Sequence, residues 1–250
     1  MIKFFRNIRQ KLLKENKTTG YFKYAIGEIV LVVIGILIAL NINNWNENLK
    51  DQVKKEKLMN ALEVEFRVNL IQLDTVLSYD NKVLKSTQDF LKITGSTDID
   101  TLAMPGMFQN LSWKWTFDPL NGALRSGISS GDIHLIKNDL LVKLLFGWED
   151  VVSDARENED RCVAVVINSK PLLEKYIRNL DYRRVWKSEL PPSQFDSDYI
   201  GLLNDPLFED YLTERYITMA DALSELNVLR EANKRMLDMI RSELKTEMDD

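Results

Sequence analysis

The sequence predicts an all-α protein, in which one N-terminal transmembrane helix continues into an elongated antiparallel helical bundle outside the membrane. Three observations predict this fold class. A long apolar run stands near the N-terminus, apolar residues then recur every three or four positions, and only 10 Gly and 6 Pro occur in 250 residues. So few turn-forming residues disfavour a β fold, which needs many short strands and turns.

The apolar run predicts a membrane-spanning helix over residues 24–45. Residues 29–40 are all apolar or Gly, and Tyr24 and Trp45 flank the run at the positions of interfacial aromatic belts. The 21 steps between these two aromatic residues rise about 32 Å at 1.5 Å per residue, which matches a hydrocarbon core of about 30 Å.

The span is predicted to be an uncleaved signal anchor. A cleaved signal peptide is the alternative, but its cleavage site requires small residues after the apolar run. This run ends in Leu40-Asn41-Ile42-Asn43. Seven Lys or Arg residues and one Glu precede the span, and this excess predicts a cytoplasmic N-terminus and an extracytoplasmic C-terminal domain.

Residues 1–23 are predicted to form a basic, amphipathic cytoplasmic tail. The cations of the tail lie elsewhere on the helical wheel than its apolar residues. These apolar residues fall at helical spacing: Phe4, Phe5, Ile8, Leu12 and Leu13. Anionic lipid of the inner leaflet would attract each cation by roughly 1 kcal/mol. Two interpretations stay open: a helix lying on the inner leaflet, or a positive flank that only sets the topology.

Residues 46–250 are predicted to form one helical domain. Its first apolar stripe continues directly from the span and ends near Gly95, and residues 95–117 look irregular. Asp118-Pro119 reads as a helix cap followed by a first helical residue, and Gly131 ends that short helix.

Two further long helices are predicted after this short one. Asn138 is a plausible cap for the first, which Pro171 interrupts, and Asp205-Pro206 opens the second. Three long amphipathic helices must bury their stripes against one another, which predicts the bundle. About 40 residues in the last helix would span roughly 60 Å, so the bundle is expected to be elongated.

The charge of the chain is unevenly distributed. Residues 46–250 hold 26 cations and 36 anions, a net charge of −10, although the whole chain carries −5. Such a domain repels nucleic acid and anionic lipid, so neither is an expected partner for it. The acidic cluster Glu157, Glu159 and Asp160 is interpreted as a solvated helix face.

Two stretches of the sequence resemble an uncharacterised family of single-pass membrane proteins of Bacteroidota, a domain of unknown function. The first contains Phe4-Phe5-Arg6, Tyr24-Ala25-Ile26-Gly27-Glu28-Ile29, Val33-Ile34-Gly35-Ile36-Leu37-Ile38-Ala39-Leu40 and Ile42-Asn43-Asn44-Trp45. The second, Ser129-Ser130-Gly131 followed by Leu135-Ile136-Lys137-Asn138, is similar to a further segment of that family. The resemblance implies a single-pass protein with a helical outer region and supplies no catalytic residues. Together with the charge bias, it implies the bacterial inner membrane, with a periplasmic C-terminal domain.

Within the span, a candidate helix-packing face is formed by Glu28, Gly35, Ala39 and Asn46. These residues fall within about 20° of one line at 100° per residue. Gly35 and Ala39 have the small-xxx-small spacing that lets two membrane helices approach closely. The alternative is incidental composition, with Glu28 reaching interfacial water near the membrane edge.

Trp113, Trp115 and Phe117 form a candidate partner or ligand surface. They alternate with Ser112, Lys114 and Thr116, which is a period of two in an otherwise helical chain. One interpretation is an extended segment that lines a ligand groove or partner surface. The other is a flap that plugs the open end of the bundle core.

The residue types of common catalytic sites are scarce. Residues 127–131 match the G-x-S-x-G elbow, but a helix is predicted before them instead of a strand. One His and one Cys exclude zinc clusters and two-His iron sites. A Cys162–His134 pair is formally allowed, yet Cys162 falls on an apolar stripe typical of a buried thiol. We therefore expect no enzyme, cofactor or metal site.

These observations favour a membrane-anchored envelope protein with a helical interaction or scaffold domain. Its expected partners are the membrane and either another envelope protein or a second copy of the chain. The alternative is a ligand-sensing helical bundle that signals through a partner.

Overall fold

The structure is a computed structural model that describes residues 18–249, so the predicted amphipathic tail up to residue 17 lies outside it. The described residues form eight α-helices and no strand, which confirms the all-α fold class. The helices are α1 (Thr18–Leu91), α2 (Met104–Leu111), α3 (Gly122–Ser130), α4 (Asp139–Phe146), α5 (Trp148–Tyr176), α6 (Asn179–Arg183), α7 (Tyr199–Leu203) and α8 (Pro206–Asp249). A 3₁₀ turn spans Asp132–Leu135.

Helix α1 is continuous from the apolar run into the rest of the chain, as the sequence predicts. Among the described residues it is the one helix long and apolar enough to cross a membrane. The chain divides into two compact units, residues 1–56 and residues 57–250, and we call the second the helical domain. The predicted boundaries at residues 23 and 45 stay predictions.

In the helical domain, α8 runs antiparallel to both α1 and α5. Arg241 pairs with Glu63 at 2.8 Å, and Arg230 pairs with Asp74 at 2.5 Å. Later residues of α1 therefore lie beside earlier residues of α8, which makes these two helices antiparallel. Helices α1 and α5 run in the same direction, because residues 92–147 carry the chain back along the bundle before α5 begins.

Two apolar cores lie along these three helices. The first includes Leu62, Phe66, Leu73, Phe117, Trp148, Met219, Leu226 and Leu237. The second is largely aromatic and includes Phe90, Phe108, Leu111, Tyr199, Phe208 and Leu212. Buried polar residues and one cysteine lie near the junction of the two cores. We call them the polar layer: Asp80 on α1, Glu159 and Cys162 on α5, and Arg215 and Thr218 on α8.

Helix α2 lies within residues 95–117, which were predicted from the sequence to be irregular. Met104, Phe108 and Leu111 recur at helical spacing, and all three are buried in the second core. Pro105 stands in the first turn, where its missing N–H costs nothing. The short stripe and this proline were the signals for α2, which burial of the aromatic core stabilises.

Helix α3 begins at Gly122 rather than at the predicted Pro119. Side chains of α1 account for this shift. Asn69 accepts a hydrogen bond from the Leu120 N–H, which keeps Leu120 outside the helix, and Glu65 accepts a hydrogen bond from an N–H group in the first turn of α3. The predicted end is confirmed: Gly131 has a φ of +80°, a left-handed conformation that favours glycine.

The predicted helix starts at Asn138 and Pro206 are confirmed. The helix that follows Asn138 was predicted to be long, but α4 ends at Phe146, and α5 begins at Trp148 after Gly147. Asn138 accepts a hydrogen bond from the Leu141 N–H at 3.1 Å, and α8 begins at Pro206. Pro171 was predicted to interrupt its helix, but α5 continues to Tyr176. A proline removes one helical hydrogen bond, and packing of the next residues, Leu172 and Leu173, against the second core compensates for that loss.

Candidate functional site

The segment that joins α2 to α3, residues 112–121, crosses the helical domain without regular hydrogen-bond partners of its own. We call it the connecting segment. Its backbone N–H and C=O groups lie against buried parts of the bundle, where a polar group without a partner is costly. Side chains from all three long helices supply the partners.

Lys114 lies at the centre of this arrangement. Its Nζ is 2.6 Å from Asp80 Oδ2 and 3.0 Å from Glu159 Oε1, and all three side chains are at most 3% exposed. Nζ also donates to the carbonyl of Trp115. One ammonium group therefore uses its three donors on α1, α5 and the connecting segment itself.

The same carboxylates also accept hydrogen bonds from the backbone of the connecting segment. Asp80 Oδ1 accepts from the Trp115 N–H at 3.3 Å, and Glu159 Oε1 accepts from the Phe117 N–H at 3.2 Å. Arg215 donates to the carbonyl of Trp113 and, at 3.2 Å, to the carbonyl of Cys162. Two cations and two anions are thus buried together, so their charges balance, as buried ions require.

Burial has a clear electrostatic effect on the two carboxyl groups. It raises the pKa of Asp80 and of Glu159 above their ordinary values, although the neighbouring Lys114 acts in the opposite direction. Burial also raises the pKa of the Cys162 thiol, whose Sγ donates to the Thr218 carbonyl at 3.0 Å. A thiol held in this way is a poor nucleophile.

The far end of the connecting segment is fixed by α1. The Asn69 amide donates to the Leu120 carbonyl and accepts from the Leu120 N–H, both at 2.8 Å. Glu65 accepts from the N–H groups of Ala123 at 2.7 Å and Leu124 at 3.1 Å, in the first turn of α3. A carboxylate in this position also interacts favourably with the positive end of the helix dipole.

The three aromatic residues predicted as a site have different surroundings. Phe117 is 2% exposed and packs edge-on against Trp148, with ring centroids 6.5 Å apart. Trp115 is half-buried and stacks on Tyr79 at 4.4 Å. Trp113 is 41% exposed. The connecting segment therefore plugs the core at Phe117 and presents an aromatic ring to the surface at Trp113.

Trp113 has an aromatic neighbour that was not predicted from the sequence. Trp186, in the turn after α6, lies with its ring centroid 5.3 Å from that of Trp113 and is 44% exposed. Arg183, Arg184 and Lys187 surround it in the chain and are exposed. The grouping of Arg and Trp around residue 186 was a usable signal, but nothing in the sequence linked it to residue 113.

The span residues are placed along the apolar part of α1. A Cβ atom added at Gly35 would meet no other atom within 4 Å, and Ala39 and Asn46 are exposed. Glu28 is partly exposed. Helix packing through these residues stays a prediction.

The charged residues of the polar layer were not predicted from the sequence. Glu159 was interpreted as solvated, yet it is 2% exposed and binds Lys114. Its place on the apolar stripe was the signal, because it follows Ala155 by four residues and precedes Cys162 by three. Asp80 and Arg215 interrupt their helical stripes in the same way.

The residues considered for nucleophilic chemistry have separate surroundings. Cys162 is buried in the polar layer, whereas His134 lies in the 3₁₀ turn with its ring 6.1 Å from that of Phe146. The Ser130 hydroxyl donates to Asp132 at 2.8 Å. Within residues 18–249, no group of three or more His, Cys, Asp or Glu side chains is placed to hold a metal ion.

A polar cleft of about 270 Å³ lies between the connecting segment, α3 and α5. Its two arginines already have acidic partners, since Arg125 pairs with Glu149 at 2.7 Å and Arg156 with Asp118 at 3.4 Å. These pairs leave little uncompensated positive charge in the cleft.

Comparison with known proteins identifies a similarity over part of the chain. No curated protein and no solved structure matches the chain. The predicted resemblance to a family of unknown function is confirmed over part of the chain, and its restriction to Bacteroidota stays a prediction. Residues 28–145, from the apolar part of α1 through Asp80 and Lys114 to α4, match the model of a family of unknown function, DUF6090.

Proposed function

We propose that this protein is a membrane-anchored interaction protein of the bacterial cell envelope. The apolar part of α1 would hold it in the inner membrane, with the N-terminus in the cytoplasm and the helical domain in the periplasm. There the domain would bind another envelope protein or a second copy of the chain. The length and composition of α1 support the anchor, and the excess of cations before it supports the orientation.

One observation carries the interaction role: the polar layer holds the connecting segment rigidly while leaving Trp113 at the surface. Arg215 donates to the Trp113 carbonyl, and the next residue, Lys114, binds the buried Asp80 and Glu159, so buried contacts fix the backbone around Trp113. A large aromatic ring on a fixed backbone loses little conformational entropy when a partner covers it. Such residues are typical of binding hot spots.

Catalysis is not part of the proposal. The buried polar groups that resemble catalytic residues, Asp80, Lys114 and Glu159, use their donors and acceptors on one another and on the connecting segment. This use supports a structural role for them. Burial and the hydrogen bond to Thr218 likewise support a structural role for Cys162.

Site-specific photocrosslinking in intact cells tests the interaction role. A photoreactive phenylalanine analogue would replace Trp113 in the full-length protein, and in a control it would replace Val228, which is exposed on α8. We expect a discrete protein adduct from position 113 and little from position 228. A panel of exposed positions that gives no protein adduct would contradict the proposal.

A further inference from the structure

Two tryptophans are in contact at the surface, and three exposed cations come from the same turn as one of them. We call Trp113, Arg183, Arg184, Trp186 and Lys187 the aromatic–basic surface. The two indole rings are in contact, with centroids 5.3 Å apart and planes inclined by 37°. Four of the five residues come from one short stretch, residues 183–187. Trp113 comes from the connecting segment and contacts this stretch through its ring.

Both halves of this surface are held in place. The Trp113 carbonyl accepts from the buried Arg215. The turn around Trp186 is closed by two backbone hydrogen bonds to the Arg183 carbonyl, from the N–H of Trp186 at 3.1 Å and of Lys187 at 3.0 Å. Arg184 Nε donates to the Leu190 carbonyl at 3.0 Å. The surface is therefore preorganised for binding.

The cations of this surface are available to an external anion. Among the described residues, no carboxylate lies within 4.0 Å of the charged groups of Arg183, Arg184 or Lys187. Residues 57–250 hold 23 cations and 33 anions. Three exposed cations without carboxylate partners thus stand together in a strongly acidic domain, next to two half-exposed tryptophans.

We propose that the aromatic–basic surface binds an acidic segment of a partner protein. Carboxylates of that segment would pair with Arg183 and Arg184, whose planar guanidinium groups suit carboxylates. An apolar side chain between those carboxylates would lie on the two tryptophan rings. The inference rests on the proposed interaction role and names its surface and the chemistry of its partner.

The charge of the domain favours a narrow partner over a broad one. An anionic bilayer or a nucleic acid would bring a wide negative surface against a domain of net charge −10, which repels it. A short acidic segment contacts only the aromatic–basic surface and avoids most of that repulsion. The positive charge that an acidic partner can meet is therefore confined to the aromatic–basic surface, so a short segment fits it better than a broad anionic surface.

A peptide-binding measurement with the full-length protein in nanodiscs of neutral lipid tests this inference. The probe is a fluorescent peptide of alternating Asp and Glu around one central Leu, and the reference peptide has Asn and Gln at the acidic positions. We expect saturable binding of the acidic peptide alone, weakened by salt. Combined Arg183→Glu and Arg184→Glu substitutions should weaken it by at least about tenfold.

The matched control reverses two other exposed cations, through Lys137→Glu and Lys143→Glu, and so changes the net charge equally. It should leave binding within about twofold, because long-range charge effects alone are screened by salt. If the double arginine variant melts early by circular dichroism, the single Lys187→Glu variant decides, with weaker binding expected. Replacing Trp186 with Ser should also weaken binding at unchanged charge.

Three outcomes would overturn the inference. The first is equal binding of the two peptides. The second is an equal loss of peptide binding in the double arginine variant and in the control with Lys137→Glu and Lys143→Glu. The third is binding to phosphatidylglycerol vesicles through this surface without binding to the acidic peptide. The last would assign the surface to lipid. Photocrosslinks from other faces of the domain, with no peptide binding here, would preserve the interaction role and reject only this surface.

Discussion

Lys114 is the residue on which the polar layer depends most directly. Its ammonium group lies between two buried carboxylates, Asp80 and Glu159, whose charges it balances together with the nearby Arg215. Replacing Lys114 with Met would keep much of the side-chain volume and leave both carboxylates without their cation. Removing one member of a buried ion group costs about 3–5 kcal/mol, because the remaining charge is left uncompensated.

We therefore expect Lys114→Met to lower the free energy of unfolding by about 3–5 kcal/mol, as measured by denaturant titration of the full-length protein in detergent. Lys137→Met, at an exposed position, is the control and should stay within about 0.5 kcal/mol of the wild type. A loss at position 114 as small as that of the control would show that the layer does not hold the connecting segment.

Glu159 predicts a pH dependence of stability. Burial raises the pKa of Glu159 in the folded state above the ordinary value of 4.5, so the folded state binds a proton more readily than the unfolded state. The stability that this group contributes is then complete below the unfolded pKa of about 4.5 and is lost as pH rises through the folded pKa. Asp80 acts with the same sign.

We expect the unfolding free energy of Glu159→Gln to change less between pH 4.5 and pH 7 than that of the wild type. Each titrating group contributes a slope of at most about 1.4 kcal/mol per pH unit, so the difference is measurable. Denaturant titrations at half-unit pH steps give both profiles, and Glu157→Gln, at an exposed position of the same helix, is the control. Parallel profiles for wild type and Glu159→Gln would refute this sign.

At the scale of the elements, the apolar stripes predicted most of the helices of the bundle. What they did not predict is how the connecting segment pairs with those helices. Leu62, Phe66 and Leu73 keep helical spacing and lie in the first core, so their helix could be derived from the sequence. The period-two pattern around Trp115 correctly marked a change of structure. Sequence spacing identifies the face of one helix, however, and cannot pair that face with a residue far along the chain.

The polar layer shows why that pairing was missed. Lys114 meets Asp80 from 34 residues away and Glu159 from 45 residues away, and each contact depends on the packing of three helices. The charged residues could have been identified as buried from their positions on apolar stripes. Their partners could not, because those depend on the path of residues 92–147 over the bundle.

The apolar part of α1 carries the sharpest prediction for a single element. Lipid tails are as apolar as leucine, so close backbone packing and hydrogen bonds must drive association of two spans. Gly35→Leu would place a bulky side chain at the predicted closest approach, whereas Ile36→Leu changes the neighbouring face. We expect Gly35→Leu to reduce self-association of the isolated span in a bacterial membrane reporter, and Ile36→Leu to leave it unchanged.

Equal reporter signals from the wild-type span and the Gly35→Leu span would remove the case for a homo-oligomer through this helix. Partners would then meet the helical domain alone, and the apolar part of α1 would serve only as a tether. Reduced signals from both substitutions would indicate a general effect on insertion, which a membrane-insertion control would detect.

For the whole molecule, the strongest asymmetry is in charge. Residues 1–23 carry a net charge of +6, whereas residues 46–250 carry −10. Cations close to a span remain in the cytoplasm, and acidic residues have little influence on orientation. The tail should therefore fix the N-terminus inside, which would place the aromatic–basic surface in the periplasm with the proteins found there.

A reporter fusion tests this orientation. Alkaline phosphatase is active only after export, so a fusion after Asp250 should be active, and a fluorescent protein that matures only in the cytoplasm should stay dark at the same position. Replacing the tail cations Lys3, Arg6, Arg9 and Lys11 with Gln should lower phosphatase activity, because the charge excess that sets the orientation is reduced. A stably expressed but inactive phosphatase fusion would reverse the topology. The acidic partner segment would then have to be sought among cytoplasmic proteins.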